Sequence, residues 1–128
     1  MFVYLWGVMA DQSLPKSLIL KRSTEISALF RPGTATKSSY PIRVVYAPAQ
    51  QTWEGGGYRA AFVVPKKRFR RAVDRNRLKR LLREAYRLNR HDLSPTEESI
   101  AMLFIYTGKE KMPFALIRRK MVKLLRLV

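Results

Sequence analysis

Cysteine is absent from the chain, which removes disulfides and thiolate metal sites together. Packing alone must then hold the fold, and a reducing, cytoplasmic location is expected. Histidine occurs once, as His91, and the nine acidic residues are sparse. Glu97 and Glu98 adjoin in a loop-like stretch, and Asp74 reads as a helix cap. No metal-ligand spacing and no nucleophile–base arrangement emerges from this set. The expectation is a protein with no catalytic residues of its own and no metal bound by the protein alone.

Long hydrophobic runs are also missing. The stretch MFVYLWGVMA ends at Asp11 and contains neither Lys nor Arg. A spanning helix needs about 20 apolar residues, and a secretory signal needs a basic start. Residues 1–13 therefore read as an extension outside the fold, either disordered or docked as a strand, with Met9 an alternative initiator. Residues 14–128 read as one domain, since 128 residues with 47% hydrophobic content suffice for a single core.

Against these absences stands an excess of positive charge: 26 Lys and Arg against 9 Asp and Glu, a net charge of +17. Self-repulsion of that size favours a polyanionic partner, and phosphates release counterions when Lys and Arg replace them. Nucleic acid is the leading partner class, with an anionic membrane surface as its rival.

Along the chain, Ile26, Leu29 and Phe30 fall at helical spacing after Ser23 or Thr24 as a cap, and Arg31-Pro32-Gly33 ends the helix. Pro41–Ala47 and Tyr58–Val64 are β-branched and aromatic, joined by the turn-rich PAQQTWEGGG; they read as an antiparallel hairpin with a long loop. Ser38–Ala47 is either one strand or a strand with a preceding edge piece. Trp53 reads as an exposed loop tryptophan. After a basic connector, a helix is expected from about Asp74 to about Arg90. An apolar strand, Ile100–Tyr106, follows, then a helix opened by Pro113 with Phe114, Ile117, Met121, Leu124, Leu125 and Val128 on one side. The fold class is α+β: a two-layer sandwich in which helices pack on a small mixed sheet.

The basic helix is the most informative segment. At 100° per residue, Leu78, Leu81, Leu82, Ala85 and Leu88 form one stripe, while Asn76, Lys79, Arg80, Arg83, Arg87 and Arg90 share the other side. Between Lys66 and Arg90 lie twelve basic residues and two acidic ones, so intrahelical pairing cannot neutralise the face. Like charges three and four apart cost a few tenths of a kcal/mol per pair. A merely solvated face would do better with mixed signs, so RNA or DNA contact is expected. Arginine outnumbers lysine here, and its planar fork holds phosphate bidentately or stacks on a base. Asn76 is uncharged; it serves either as a local cap or as a directional contact to RNA or an RNA-bound hydrated metal ion.

The run Pro65-Lys66-Lys67, followed by Ala72-Val73-Asp74-Arg75-Asn76-Arg77-Leu78-Lys79-Arg80-Leu81-Leu82-Arg83-Glu84-Ala85-Tyr86-Arg87, resembles the Arg-Asn-Arg motif region of the bacterial ribonuclease P protein subunit. The resemblance extends from about Leu14 to Leu127 and includes Leu20–Ser23, Phe30–Gly33 and Arg43–Tyr46. It implies a left-handed β-α-β crossover containing the motif helix, against the usual hand. It further implies a protein that does not cut RNA itself. Such a protein binds a catalytic RNA that removes the 5′ leader of precursor tRNA with magnesium ions held through the RNA, and needs no membrane and no obligate protein partner. By position, Arg75, Asn76, Arg77, Lys79, Arg80 and Arg83 would contact the RNA, with Lys66, Lys67, Arg70, Arg71 and Arg87 extending the surface. A cleft for the leader would hold Ile26, Phe30, Val45 and Phe62. Ile26 stands where an aromatic residue is common, which removes a π face from that position. Pro65 replaces a common serine, and Arg70-Arg71 replaces a Gly-Asn pair, so the helix entry gains charge and a different backbone path.

Two other readings compete. A ribosomal or general RNA-binding protein, with no role in cleavage, would share the charge and the arginine face. A membrane-surface helix would need exposed leucines, which the core requires here.

Overall fold

A computed structural model describes residues 18–20, 23–31 and 34–128. The N-terminal extension read from the sequence lies outside the described residues. The elements are α1 (Ser23–Ala28), β1 (Ala35–Ser39), β2 (Ile42–Pro48), β3 (Gly57–Val63), α2 (Ala72–Asn89), β4 (Ser99–Tyr106) and α3 (Phe114–Leu127), with a 3-10 turn at Arg90–Asp92.

β4 is the reason for the topology. Its eight residues, SIAMLFIY, are buried at every position but one, so neither of its faces can meet water. A strand of that kind belongs inside a sheet with both faces covered. The strand order is accordingly β1-β2-β4-β3, with β4 antiparallel to β2 and parallel to β3. The hairpin expected from Pro41–Ala47 and Tyr58–Val64 does not form: β2 and β3 are separated by β4. The eight-residue connection between Pro48 and Gly57 is long enough to step over one strand, so the turn residues did not enforce pairing. The hairpin that does form is β1–β2, pairing Ser39 with Ile42 around a cis Tyr40–Pro41 bond. The piece before Pro41 is thus a separate, polar edge strand.

Two apolar layers cover the sheet. On one face α2 and α3 pack together, with Leu78, Leu82, Ile117, Met121, Leu124 and Leu125 fully buried against Ile42, Val44, Met102 and Phe104. Each fully buried leucine contributes roughly 2 kcal/mol from transfer alone. Phe62 stacks on Phe104 at 5.6 Å, and Tyr86 meets it edge-on at 5.7 Å. On the other face the shorter α1 and the Leu20 segment cover Val45, Ala61, Ala101, Leu103 and Ile105. The result is an α+β sandwich with a β3-α2-β4 crossover between parallel neighbours.

Trp53 departs from its expected role as an exposed loop residue. It packs half-buried on the α1-side cluster, and the Arg59 guanidinium lies 4.5 Å over its ring. Its backbone N–H donates to Ser99 Oγ at 3.0 Å, and its indole N–H donates to the Gly56 carbonyl at 2.9 Å. Gly56 has φ +63°, and a Cβ there would stand 2.0 Å from the Glu97 carbonyl oxygen. The glycine-rich loop is therefore pinned against the segment before β4.

Candidate nucleic-acid interface

The positions of the cations follow from how α2 is seated. Its buried residues are Leu78, Leu82, Ala85, Tyr86 and Asn89, so the core-facing stripe is turned toward Tyr86 and Asn89 relative to the leucine stripe. Leu81 and Leu88 are only partly buried. Aromatic Tyr86 explains the turn: it reaches Phe62 and Phe104 across the layer, which a leucine could not do. Asn89 is tolerated inside because its amide donates to the Ala85 carbonyl at 2.8 Å.

This seating turns Asn76, Lys79, Arg80 and Arg83 toward the β3 edge of the sheet. There they meet the apolar side chains of Ile19, Leu20 and Ile26 from the N-terminal region and Ala61 and Phe62 from β3. Together they line an open groove of about 510 Å³. The chain before α1 builds one wall: Ile19 bridges Ala60 in parallel, and the Leu20 N–H donates to the Ala60 carbonyl at 2.8 Å. The groove is thus apolar on one side and cationic on the other, a surface that suits a single strand with its bases and phosphates presented to opposite walls.

Residues singled out in the sequence divide into three groups. Asn76, Lys79, Arg80, Arg83, Ile26 and Phe62 come together in the groove. Arg77, Lys66, Lys67, Arg70 and Arg71 are exposed on α2 and its connector, outside the groove lining. Arg75, Arg87, Val45 and Phe30 also lie outside the groove lining, each for its own reason. Arg75 donates through one Nη to the carbonyls of Phe69, at 2.9 Å, and Arg70, at 2.7 Å. Arg87 is mostly buried and pairs with Glu84, donating from Nε to Oε2 at 3.1 Å. That hydrogen bond is the main reason its guanidinium is held above the ordinary value. Val45 is 6% exposed, within the cluster under α1, and Phe30 is 63% exposed, outside the groove.

Asp74 is not the cap of α2. The helix begins two residues earlier, at Ala72, with Arg71 as N-cap and no side-chain capping bond. Asp74 lies in the first turn, where it complements the helix dipole, and accepts from Lys111 Nζ at 3.2 Å. The connector turns at Pro65, whose carbonyl accepts from the N–H groups of Arg68 and Phe69, both at 3.3 Å. Phe69 then buries against Tyr106 at 5.7 Å.

Ile19, Leu20 and Ala61 were not singled out from the sequence as groove residues. The signal available was the apolar triplet Leu18–Leu20, which has the composition of a short strand but too little length to be read as one. Among the described residues, no three His, Asp or Glu side chains gather where they could hold a metal ion, and no helix is long and apolar enough to cross a membrane.

Comparison with known proteins gives the family. The family model for ribonuclease P matches residues 14–128. The ribonuclease P protein component of Porphyromonas gingivalis is 43% identical over 123 residues, covering 89% of this chain and 85% of that protein. That of Chlorobaculum tepidum is 31% identical over 107 residues, covering 76% and 69%. The fold is shared with the RNase P protein of Thermotoga maritima, with a TM-score of 0.68 at 22% identity over 86% of this chain and 96% of that one. It is also shared with the RNase P protein of Staphylococcus aureus, with a TM-score of 0.68 at 18% identity over 88% and 95%. This chain belongs to the ribonuclease P protein component family.

Proposed function

We propose that the chain works as the RNA-binding protein of a ribonucleoprotein in which a catalytic RNA removes the 5′ leader of precursor tRNA in the cytoplasm. The exposed cations of α2 and its connector, Arg77, Lys79, Arg80, Lys66, Lys67, Arg70 and Arg71, hold the catalytic RNA through its phosphates. The groove receives the single-stranded leader. The observation that carries this reading is the shared lining of the groove, in which Asn76, Lys79, Arg80 and Arg83 face Ile26, Ala61 and Phe62.

The division of labour follows from the side chains. Guanidinium and ammonium groups neutralise phosphates and make affinity fall with salt. Phe62 has its ring on Phe104 and Tyr86, so it is held rigidly and loses little freedom when a base lies against it. Asn76 both donates and accepts, and orients a ribose, a base edge or a metal-bound water where a cation would only attract. Among the described residues, no three carboxylate or histidine side chains gather where they could hold a metal ion. Magnesium carried by the RNA supplies the charge neutralisation and the activated water. The protein's part is to bind, to orient and to bring the leader beside that RNA.

Reconstitution with the cognate ribonuclease P RNA tests this. Stimulation of precursor-tRNA cleavage at low magnesium is expected. A folded protein that binds RNA but gives no stimulation would favour a general RNA-binding role instead.

A further inference from the structure

α3 holds a second set of cations that the groove does not use. Arg118, Arg119, Lys123 and Arg126 are exposed along its outer side, bordering a shallow apolar trough that includes Ala115 and Val122. The helix, FALIRRKMVKLLRL, contains no acidic residue. An ordinary solvated face would mix the signs, because Arg119 and Lys123 lie four apart and Lys123 and Arg126 three apart, each pair costing a few tenths of a kcal/mol. The helix dipole would also favour an acid in the first turn, and none is there. Arg118 and Arg119 instead follow directly, toward the end that is already positive. The ion pair seen on this face among the described residues is Arg126 Nε to Asp92, at 3.9 Å with the arginine 70% exposed. A pair so long and so wet offsets little.

The surface is separate from the groove. α3 packs over β1 and β2 while α2 packs over β3, and among the described residues the two linings have none in common. A bilayer cannot be its partner through the main apolar stripe, because Ile117, Met121, Leu124 and Leu125 are fully buried in the core. Between the cations stand Ala115 and Val122, and the one ring on this lining, Phe114, lies at the start of the helix partly buried against the core, so the contact the cations make best is to backbone phosphate.

We infer that the outer face of α3 binds the phosphate backbone of a second, structured segment of the RNA held by α2, so that the protein bridges two parts of its RNA partner. This rests on the reading of α2 as an RNA-binding helix. Occupying both faces at once would raise the overall affinity without any new contact in the groove.

The test uses the full chain with Arg118→Gln, Arg119→Gln, Lys123→Gln and Arg126→Gln together. Glutamine has nearly the helix propensity of lysine and arginine, so the melting curve is expected to stay close to wild type. Should it not, the pairs R118Q/R119Q and K123Q/R126Q are measured separately. Filter binding to the cognate ribonuclease P RNA across a potassium chloride series reads the effect. Loss of two to three phosphate contacts is expected to flatten the log-log slope by about 1.4 to 2.7. Affinity for a short single-stranded oligonucleotide is expected to be unchanged. The same series with Arg77→Gln, Lys79→Gln and Arg80→Gln reports on α2. If the α3 variant keeps the wild-type slope while the α2 variant flattens it, the bridging inference is overturned and the function proposed above stands. If the α2 variant keeps its slope, that function loses its RNA-binding helix. Weakened binding of the α3 variant to phosphatidylserine vesicles, with RNA binding intact, would also overturn the inference.

Discussion

Arg75 is tied to Phe69: its Nη1 donates at 2.9 Å to the Phe69 carbonyl, and at 2.7 Å to that of Arg70. The first arginine of the motif thus fastens the connector to the helix that follows it, while the Phe69 ring anchors the same connector in the core against Tyr106. The remaining guanidinium nitrogens of Arg75 are left for other partners, so its role in positioning and a role toward RNA are compatible.

Arg75→Ala is therefore expected to destabilise the fold by about 1.5 to 3 kcal/mol, the range for hydrogen bonds to a charged group. Arg77→Ala, at an exposed position of the same helix, should change stability by less than about 0.5 kcal/mol. Urea unfolding of the two variants distinguishes them. Equal losses would mean that the Arg75 contacts do not secure the connector.

Restoring a π face in the groove is a second prediction. Ile26 lines the groove and is half-buried. Ile26→Tyr is expected to tighten binding of a single-stranded RNA oligonucleotide, since stacking of one base is worth about 1 to 3 kcal/mol. Fluorescence titration measures it, and weaker or unchanged binding in a folded variant would argue against bases lying on this wall.

Glycine at position 56 is demanded twice, by its left-handed backbone and by the Glu97 carbonyl that a Cβ would strike. Gly56→Ala is expected to cost about 2 kcal/mol or more, the scale of a non-glycine residue forced into a strained conformation. The indole of Trp53 should become more exposed as its bond to the Gly56 carbonyl is lost, seen as a red-shifted emission spectrum. A variant as stable as wild type would show that the loop is not pinned.

Burial raises the Tyr86 hydroxyl pKa from 10.0 to about 12, with Arg90 lowering it and Tyr58 raising it as lesser influences. In the unfolded chain the group loses its proton near pH 10. Between about pH 10 and about pH 12 the folded state therefore keeps a proton that the unfolded state has lost, and stability falls as pH rises. The contribution is complete below about pH 10, and its loss amounts to roughly 2 to 3 kcal/mol by the upper end of that window. Tyr86→Phe should leave stability at neutral pH nearly unchanged and make the alkaline decline shallower. Parallel declines in urea midpoint for the two proteins, from pH 9.5 upward, would contradict this.

Much of this molecule is written in its composition and periodicity. The count of cations over anions, the leucine spacing of α2, the stripe of α3 and the apolar run of β4 each identify an element or a partner class, because they depend on neighbours within a few residues. Three matters were decided only by the tertiary structure. β4 enters between β2 and β3 because a strand apolar on both sides must be covered on both sides, and that preference acts over a distance no turn signal records. Tyr86 turns the buried stripe of α2 because its ring finds Phe62 and Phe104, and this aims Asn76, Lys79, Arg80 and Arg83 at the β3 edge. Arg75 is drawn to the Phe69 and Arg70 carbonyls because burial of Phe69 against the distant Tyr106 brings the connector back over the helix, whereas the Glu84–Arg87 pair, three apart on one helix, is local. Charge and spacing thus mark the cationic helix, whereas the packing of distant side chains settles which of its polar and basic residues line the groove.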